Sequence, residues 1–263
     1  MKKYFVIGNP ISHSLSPELH NHWIKQNGLD AKYNKKKIND NELESLILDV
    51  KEGYINGVNV TVPFKNAVIP YLDELSDEAK KTQSVNTIYL KDKKTIGHNT
   101  DIEGFENAIK KINFNFNNKK ILILGAGGVV PSLIYASMKM GSSEITISNR
   151  TKEKAEKLKI FFNNIKLINW GEIIDFDVVI NATSLGLNQE DKMKLDFTNI
   201  GKNKLFYDVI YNPSETYFLN TGKKLGNRYE NGKLMFVYQA FSAFKLWHSI
   251  EPTVNNETMR LLD

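Results

Sequence analysis

Cysteine is absent from this chain of 263 residues. Its absence excludes disulfide bonds, a thiolate nucleophile and cysteine-ligated zinc, and it is typical of a cytoplasmic protein. No apolar run approaches the ~18 residues that a membrane span requires. The brief apolar run near the N-terminus is broken at Gly8, Asn9 and Pro10, so we expect no signal peptide. These absences predict a cytoplasmic protein without a membrane partner.

Charge of either sign is spread along the chain. Lysine and arginine number 35 against 30 acidic residues, which gives a formal net charge of +5. Many lysines are interleaved with Asn and Glu, and no basic run alternates with aromatic residues. We therefore favour a solvated surface over a nucleic-acid-binding patch. The length, together with 41% hydrophobic residues, predicts a globular protein of one large domain or two ordinary ones.

A glycine-rich turn is the strongest pattern in the sequence. The apolar run Ile121–Leu124 leads directly into Gly125-Ala126-Gly127-Gly128, and a helical pattern follows. Such a run is typical of a strand buried on both faces of a parallel sheet. Glycines let a ligand approach the backbone, and the N–H groups of the next helix would face a pyrophosphate. Val130 stands where a dinucleotide-binding pattern has its third glycine, so a tight turn without a ligand is the alternative.

The end of the next predicted strand indicates which dinucleotide is bound. This strand, Glu144–Ser148, leads into Asn149, Arg150 and Thr151. An NAD-binding unit carries Asp or Glu there, about twenty residues after the glycines, to hold the ribose 2′-hydroxyl. A guanidinium instead matches a 2′-phosphate in charge and geometry. We therefore favour NADP over the alternative of a solvated arginine, with Thr151 as a further donor and Lys154 adding positive charge.

Two serines precede the first predicted helix. A strand is predicted over Lys3–Ile7 and a helix over Glu18–Gln26, with Ser16 as the N-cap and Pro17 at the first helical position. Ser14 and Ser16 are therefore either capping and loop residues or two hydroxyls that bind a small anion beside the helix N-terminus.

A second group of polar residues lies along a predicted strand. The alternation of valine with polar residues over 58–62 predicts a strand on which Asn59 and Thr61 point the same way. Lys65 follows just past the end of this strand, where functional groups are common. A solvated lysine is the alternative.

Further elements complete the pattern. A helix is predicted over Tyr71–Lys81 and a hairpin over Ser84–Leu90 and Lys94–His98. Asp101 lies at the start of the next helix, where the pattern favours a capping role. The polar, Asn-rich stretch Lys110–Lys120 is interpreted as a linker. Beyond it, alternating strands and helices predict a doubly wound half-sheet.

With these segments in place, the sequence resembles the shikimate dehydrogenase family over nearly its whole length. The matching motifs occur in the family's order and spacing, and together they are far more specific than any one alone. They are GNPISHSLSPELHN from Gly8, NVTVPFK from Asn59, SVNT from Ser84, NTDIEG from Asn99, the glycines from Gly125, NRT from Asn149, NATSLG from Asn181, YDVIYNPSET from Tyr207 and NGKLMFVYQ from Asn231. The departure is Val129-Val130-Pro131-Ser132, which replaces the family's usual small residues and frequent arginine.

The resemblance implies an α/β fold of two domains with a cleft between them. Residues 1–103 and 233–263 would form the substrate-binding catalytic domain, and residues 104–232 a Rossmann-type NADP-binding domain. The implied reaction is NADPH-dependent reduction of 3-dehydroshikimate to shikimate, in the route to chorismate and the aromatic amino acids. We expect small-molecule partners only, and a monomer or homodimer. The alternatives are a quinate/shikimate dehydrogenase with relaxed cofactor use and a non-catalytic NADP-sensing protein.

The resemblance also implies roles for individual residues. Lys65 is the implied proton donor, since a lysine ammonium is protonated at neutral pH, and Asp101 is its acidic partner at the same hydroxyl. Short polar side chains are expected to bind the substrate: Asn59, Thr61, Asn86 and Gln239 at the hydroxyls, and Ser14, Ser16 and Tyr211 at the carboxylate. The implied cofactor-binding residues are Gly125, Ala126, Gly127, Gly128, Val129, Asn149, Arg150, Thr151, Lys154, Thr183, Val209 and Gly232. No metal is implied.

Overall fold

Two six-stranded sheets organise the chain, one in each of two units. The computed structural model describes residues 1–188 and 190–263. The first unit comprises Met1–Gly104 and Val237–Asp263, and the second comprises Phe105–Phe236. The α/β class predicted from the sequence is confirmed.

The elements of both units are numbered in chain order. The strands are β1 (Lys2–Gly8), β2 (Ala31–Lys37), β3 (Gly57–Val60), β4 (Glu74–Leu75), β5 (Thr87–Lys91), β6 (Lys94–His98), β7 (Lys120–Leu124), β8 (Glu144–Ser148), β9 (Lys166–Ile168), β10 (Val178–Asn181), β11 (Leu205–Asp208) and β12 (Arg228–Glu230). The helices are α1 (Ser16–Gln26), α2 (Leu43–Lys51), α3 (Phe64–Ala67), α4 (Asp77–Thr82), α5 (Thr100–Lys111), α6 (Val130–Lys139), α7 (Lys152–Phe161), α8 (Tyr217–Lys224), α9 (Lys233–His248) and α10 (Asn256–Arg260).

The sheet of the first unit brings three chain segments to one edge. Its order is β2-β1-β3-β5-β6-β4, with β1 parallel to β2 and β3 and with β5 antiparallel to β3 and β6. Thr87 at the start of β5 lies opposite Asn59 of β3 and His98 of β6. The end of β3, the start of β5 and the end of β6 therefore lie together. Lys65 follows the end of β3, Asn86 precedes the start of β5, and Asp101 follows the end of β6.

The sheet of the second unit has a doubly wound order. The strands run β12-β11-β10-β7-β8-β9, and every pairing among them is parallel. Counted within the unit from β9, this is the order 3-2-1-4-5-6 of a Rossmann fold, whose ligands bind outside the carboxyl ends of the strands where the order reverses. That point lies between β7 and β10, and the glycine-rich turn follows β7 directly. Ile121–Leu124 are all buried, as predicted.

The predicted helix over Tyr71–Lys81 is wrong. That stretch contains the short strand β4, paired with β6, and the helix α4 begins only at Asp77. The Asp73 carboxylate accepts hydrogen bonds from the backbone N–H and the hydroxyl of Thr95, at 2.8 and 2.9 Å. The Ser76 hydroxyl accepts from the N–H of Ala79. Pairing with a distant strand thus overrides the local helical pattern.

The stretch Lys110–Lys120, interpreted as a linker, lies within the second unit. Phe116 is buried there, and its ring meets that of Phe105 edge to face with centroids 5.7 Å apart. Asn113 and Asn118 have φ angles of 52° and 62°, in the left-handed region that asparagine tolerates better than most residues. The asparagines therefore mark tight turns. Within the described residues, no helix combines the length and the apolar character needed to cross a membrane.

Candidate active site

Lys65 lies on the one-turn helix α3, next to a buried aromatic residue that fixes this helix in the core. Phe64 is buried, and the backbone N–H of Phe64 donates to the carbonyl of Thr61. The Lys65 ammonium lies 2.5 Å from Asp101 Oδ2, and the two side chains are only 13% and 9% exposed. The predicted strand over 58–62 is too long, because β3 ends at Val60 and Val62 is 59% exposed. The chain turns there, which aims Lys65 at Asp101 instead of solvent.

Asp101 does not cap the helix α5, contrary to the capping role that the sequence pattern favours. It lies inside the first turn, and its own N–H donates to Asn99 Oδ1 at 3.2 Å. Its carboxylate therefore accepts hydrogen bonds from other side chains: Oδ2 accepts from Lys65, and Oδ1 accepts from Asn86 Nδ2 at 2.9 Å. Each oxygen of the carboxylate therefore has a donor that fixes its direction.

Asn86 joins the strand ends of the first unit. Its Oδ1 accepts from the backbone N–H of Thr100 at 2.8 Å and from the hydroxyls of Thr100 and Thr87 at 3.1 and 3.0 Å. The residue is buried. With its carbonyl oxygen committed to this junction, the amide nitrogen is held toward Asp101. Asn86 thus sets the direction of the carboxylate beside Lys65.

Asn59 is joined to the same junction through its amide nitrogen. Asn59 Nδ2 donates to the carbonyl of Asn86 at 3.1 Å and to the hydroxyl of Thr87 at 3.0 Å. Asn59 Oδ1 accepts from the hydroxyl of Tyr33 at 2.7 Å. Both amide hydrogens are therefore used within the protein. A carbonyl oxygen has two lone pairs, so Asn59 can offer an acceptor to a further donor.

Ser14 and Ser16 lie together at the start of α1, although the predicted cap is wrong. The helix begins at Ser16, and Leu15 is the capping residue without a side-chain bond. The two hydroxyl oxygens are 3.2 Å apart, with Ser14 donating, and the N–H of Ser16 donates to Ser14 Oγ at 3.3 Å. The N–H of Ser16 is thus bonded to Ser14 in a local turn. Since the helix begins at Ser16, Pro17 is its second residue instead of its first.

The remaining predicted substrate residues are placed differently. Thr61 is partly exposed beyond β3, and Gln239 is partly buried on α9 in the first unit. Tyr211 lies in the second unit, where its ring stacks on Phe236 with centroids 4.6 Å apart. The structure therefore brings four of the predicted residues into one connected group of hydrogen bonds: Asn59, Asn86, Lys65 and Asp101. Ser14 and Ser16 form a separate hydrogen-bonded pair.

The glycine-rich turn of the second unit approaches the end of β10 closely. Gly125 has a φ of +116°, and a Cβ there would lie 2.7 Å from the carbonyl oxygen of Ala182. Only glycine fits this conformation and spacing. Ala126 and Val129 are partly exposed, and Gly127 and Gly128 are exposed. The turn therefore leaves backbone accessible at the N-terminus of α6, as a dinucleotide pyrophosphate requires.

Asp208 is a buried carboxylate at the end of β11 that the sequence did not indicate. Its Oδ1 accepts from Asn181 Nδ2 and from the N–H of Ile210, both at 3.0 Å, and its Oδ2 accepts from the Thr216 hydroxyl at 2.6 Å. Burial raises the pKa of Asp208 to about 6, although these hydrogen bonds act in the opposite direction. Asp208 thus ties the end of β10 to the loop after β11.

Other predicted cofactor residues lie around these two strand ends. The hydroxyl of Thr183 donates to Asn181 Oδ1 at 2.7 Å. Gly232 is buried against the carbonyl of Val209, which leaves no space for a side chain at Gly232. The glycine turn, Thr183, Val209 and Gly232 therefore lie in the second unit with the doubly wound sheet.

Arg150 lies just beyond β8 and is exposed. Asn149 Nδ2 donates to the carbonyl of Thr151 at 2.6 Å, which closes a local turn. Thr151 is the N-cap of α7 but makes no side-chain cap bond, so its hydroxyl is not used by the helix. Lys154 is also exposed. A charged guanidinium, a hydroxyl and a lysine are thus available at one strand end, where an adenosine ribose lies in Rossmann folds.

Among the residues described, no cluster of three or more His, Asp or Glu has metal-binding geometry.

Comparison with known proteins identifies the family. The model of the shikimate dehydrogenase substrate binding domain matches residues 6–88, and that of shikimate / quinate 5-dehydrogenase matches residues 106–209. A shikimate dehydrogenase (NADP(+)) of Pelagibacter ubique is 56% identical over 264 residues, covering 100% of both chains. The chain belongs to the shikimate dehydrogenase family. This family assignment agrees with the resemblance carried by the sequence motifs.

Solved shikimate dehydrogenases share the fold of this chain. The enzyme of Aquifex aeolicus has a TM-score of 0.90 at 37% identity, covering 100% of this chain and 97% of its own. The enzyme of Thermus thermophilus, solved in complex with NADP(H) and shikimate, has a TM-score of 0.90 at 29% identity, covering 100% of this chain and 98% of its own. The Rossmann-type sheet and the mixed sheet described above are therefore the fold of the family.

Proposed function

We propose that this chain catalyses the NADPH-dependent reduction of 3-dehydroshikimate to shikimate, with Lys65 as the proton donor. The observation that carries the proposal is the largely buried Lys65–Asp101 pair, at 2.5 Å, in a chain of the shikimate dehydrogenase family. An NADP-dependent oxidoreductase activity in the shikimate pathway follows from that family. A quinate/shikimate dehydrogenase with relaxed cofactor use and a non-catalytic NADP-sensing protein are not favoured.

The residues of the first unit suit the proton transfer that a ketone reduction needs. NADPH, when bound, supplies a hydride to the carbonyl carbon, and the carbonyl oxygen then requires one proton. The Lys65 ammonium carries such a proton and is oriented by the Asp101 carboxylate, so it would deliver the proton to that oxygen. Asp101 would accept a hydrogen bond from the resulting hydroxyl, and Lys65 would regain a proton from solvent.

The polar groups around this pair suit a hydroxylated ring with a carboxylate. We assign Asn59, Thr61, Asn86 and Gln239 to the ring hydroxyls, and Ser14, Ser16 and Tyr211 to the carboxylate. Support comes from the adjacent hydroxyls of Ser14 and Ser16, since paired donors match the two oxygens of a carboxylate. Asn59 supports the assignment too, because it has only acceptor capacity left for a ligand hydroxyl.

The second unit suits NADP(H), and its residues fit the cofactor. Gly127 and Gly128 are exposed just before the N-terminus of α6, so the backbone there can approach a pyrophosphate. We assign the pyrophosphate to the turn of Gly125, Ala126, Gly127, Gly128 and Val129, the 2′-phosphate to Asn149, Arg150, Thr151 and Lys154, and the remaining cofactor contacts to Thr183, Val209 and Gly232. Accordingly, residues 1–103 and 233–263 would form the substrate domain, and residues 104–232 the cofactor domain. We further propose that the enzyme works in the cytoplasm on small molecules alone, as a monomer or homodimer.

A direct assay tests the proposed reaction. NADPH oxidation is followed by absorbance with 3-dehydroshikimate as the substrate, for the wild type and for Lys65→Met. Reduction by the wild type, and its loss in the variant, is the expected result. Parallel reactions with shikimate and quinate in the oxidation direction separate the two substrate preferences. Binding of NADPH without any turnover would refute the enzymatic proposal in favour of a sensor.

A further inference from the structure

Tyr33 contacts the candidate substrate site through one buried hydrogen bond. It lies on β2, is 1% exposed, and donates through its hydroxyl to Asn59 Oδ1 at 2.7 Å. We propose that Tyr33 is a positioning residue for substrate recognition, which holds the Asn59 amide in the orientation that binds a ring hydroxyl. This inference rests on the proposed function of Asn59.

The consequence of the Tyr33 contact concerns the amide of Asn59. A buried amide can in principle present either its oxygen or its nitrogen to a ligand, because the two ends have nearly the same shape. The donor hydroxyl of Tyr33 requires the oxygen on its side, and Asn86 and Thr87 accept from the nitrogen on the other. Burial raises the pKa of Tyr33 well above its usual range, so the hydroxyl stays protonated and remains a donor.

Hydrogen bonds to the backbone of Tyr33 and stacking on its ring hold this residue in place. Asn21 of α1 accepts from the N–H of Tyr33 at 2.9 Å and donates to its carbonyl at 2.8 Å. The ring of His20 stacks on the Tyr33 ring with centroids 4.2 Å apart and planes 1° apart. Within the described residues, neither ring nitrogen of His20 has a hydrogen-bond partner, so this histidine acts as an apolar surface. Tyr33 is therefore held more rigidly than packing alone would require, as a positioning role demands.

The test compares Tyr33→Phe with a matched control, Tyr207→Phe. Tyr207 is also fully buried, but its hydroxyl makes no hydrogen bond within the described residues. Loss of the hydrogen bond from Tyr33 should raise the KM for shikimate about three- to tenfold, in the oxidation direction. The KM for NADP should change less than about twofold, and Tyr207→Phe should leave both values unchanged. KM does not depend on the fraction of active enzyme, so partial misfolding does not spoil the comparison.

A double-mutant comparison distinguishes positioning from a merely structural role. If Tyr33 acts through Asn59, Tyr33→Phe should change the shikimate KM little in a chain that already carries Asn59→Ala. The full three- to tenfold rise in that background would overturn the proposal, as would an unchanged KM in the single variant. Absence of turnover in the wild type would instead overturn the proposed function, and with it this role.

Discussion

The side-chain amide of Asn86 donates to Asp101 Oδ1 at 2.9 Å, on the carboxylate oxygen that Lys65 does not contact. This bond fixes the plane of the carboxylate and so the direction from which Lys65 meets it. The Asn86 side-chain carbonyl in turn accepts from the hydroxyl of Thr87 and from the backbone N–H of Thr100. The carboxylate beside Lys65 is therefore held by residues at the starts of β5 and α5.

Replacement of Lys65 by methionine should abolish most of the activity. Met keeps much of the apolar stem but cannot donate a proton, so kcat should fall by roughly 10²–10⁴-fold, the usual contribution of a positioned acid. The KM for shikimate should change much less. Steady-state kinetics check this, with Lys80→Met as a control, since Lys80 is 62% exposed on α4. A variant that keeps near-wild-type kcat would remove Lys65 from the mechanism.

Removal of both hydroxyls at Ser14 and Ser16 should weaken substrate binding selectively. A lost hydrogen bond to a charged group costs roughly 1.5–3 kcal/mol, so the double alanine variant should raise the shikimate KM at least tenfold. The KM for NADP should stay the same. Ser12→Ala, an exposed serine nearby, is the control. If the shikimate KM of the double variant equals that of the wild type, the serines serve only the start of α1.

Loss of Arg150 should erase the preference for NADP. The exposed guanidinium can pair with a 2′-phosphate, and such a contact contributes roughly 1.5–3 kcal/mol, or about ten- to a hundredfold in affinity. We expect Arg150→Ala to lower kcat/KM for NADPH by that factor and to change the value for NADH little. Lys157→Ala removes an equal charge from an exposed position of α7 and should alter neither value. Equal losses with both cofactors would mean that the phosphate is bound elsewhere.

Two buried histidines should make the first unit sensitive to acid. Burial lowers the pKa of His20 to about 3, and burial together with Lys2 lowers the pKa of His248 to about 4. The unfolded chain takes up these protons near pH ~6.5, whereas the folded chain resists them. Stability is therefore present above about pH 6.5 and is lost as the pH falls toward these folded values.

The contribution of His20 can be isolated by His20→Phe, which keeps a ring against Tyr33. A group that protonates only in the unfolded chain costs about 1.4 kcal/mol per pH unit. The unfolding free energy of the variant should therefore decline less steeply below about pH 6, by roughly this slope. Urea unfolding at a series of pH values measures it. Parallel pH profiles for wild type and variant would show that His20 protonates in the folded protein as well.

The effect of Asp208 on stability has the opposite pH dependence. Its pKa is raised to about 6, so its contribution to stability is present below its unfolded pKa and is lost as the pH rises through about 6.

The extent to which sequence predicts this structure differs between elements. The strands over Glu144–Ser148 and Lys94–His98 were predicted with their observed bounds, because strand periodicity is a local pattern. The prediction of a helix over Tyr71–Lys81 was wrong, because β4 within this stretch forms only through pairing with β6. The helices α8 and α10 and the strand β12 were not predicted at all.

The candidate site shows the same division. The motifs supplied Lys65 and Asp101, but no local pattern could show that Asn99, instead of Asp101, accepts the N–H at the start of α5. Tyr33 was missed, because it stands among lysines and asparagine in β2, and its partner Asn59 is distant in sequence. Asp208 was missed as well, since its importance lies in burial and in three converging donors. The roles assigned to the site residues stay predictions until the variants above are measured.

The side chain of Asn59 has a fixed polarity. Its Oδ1 accepts from the hydroxyl of Tyr33, and both amide hydrogens are committed to Asn86 and Thr87. Asn59 therefore offers a ligand a lone pair and no hydrogen. A ring position that carries a hydroxyl is accepted there, whereas a ketone or ether oxygen at the same position meets lone-pair repulsion and is opposed.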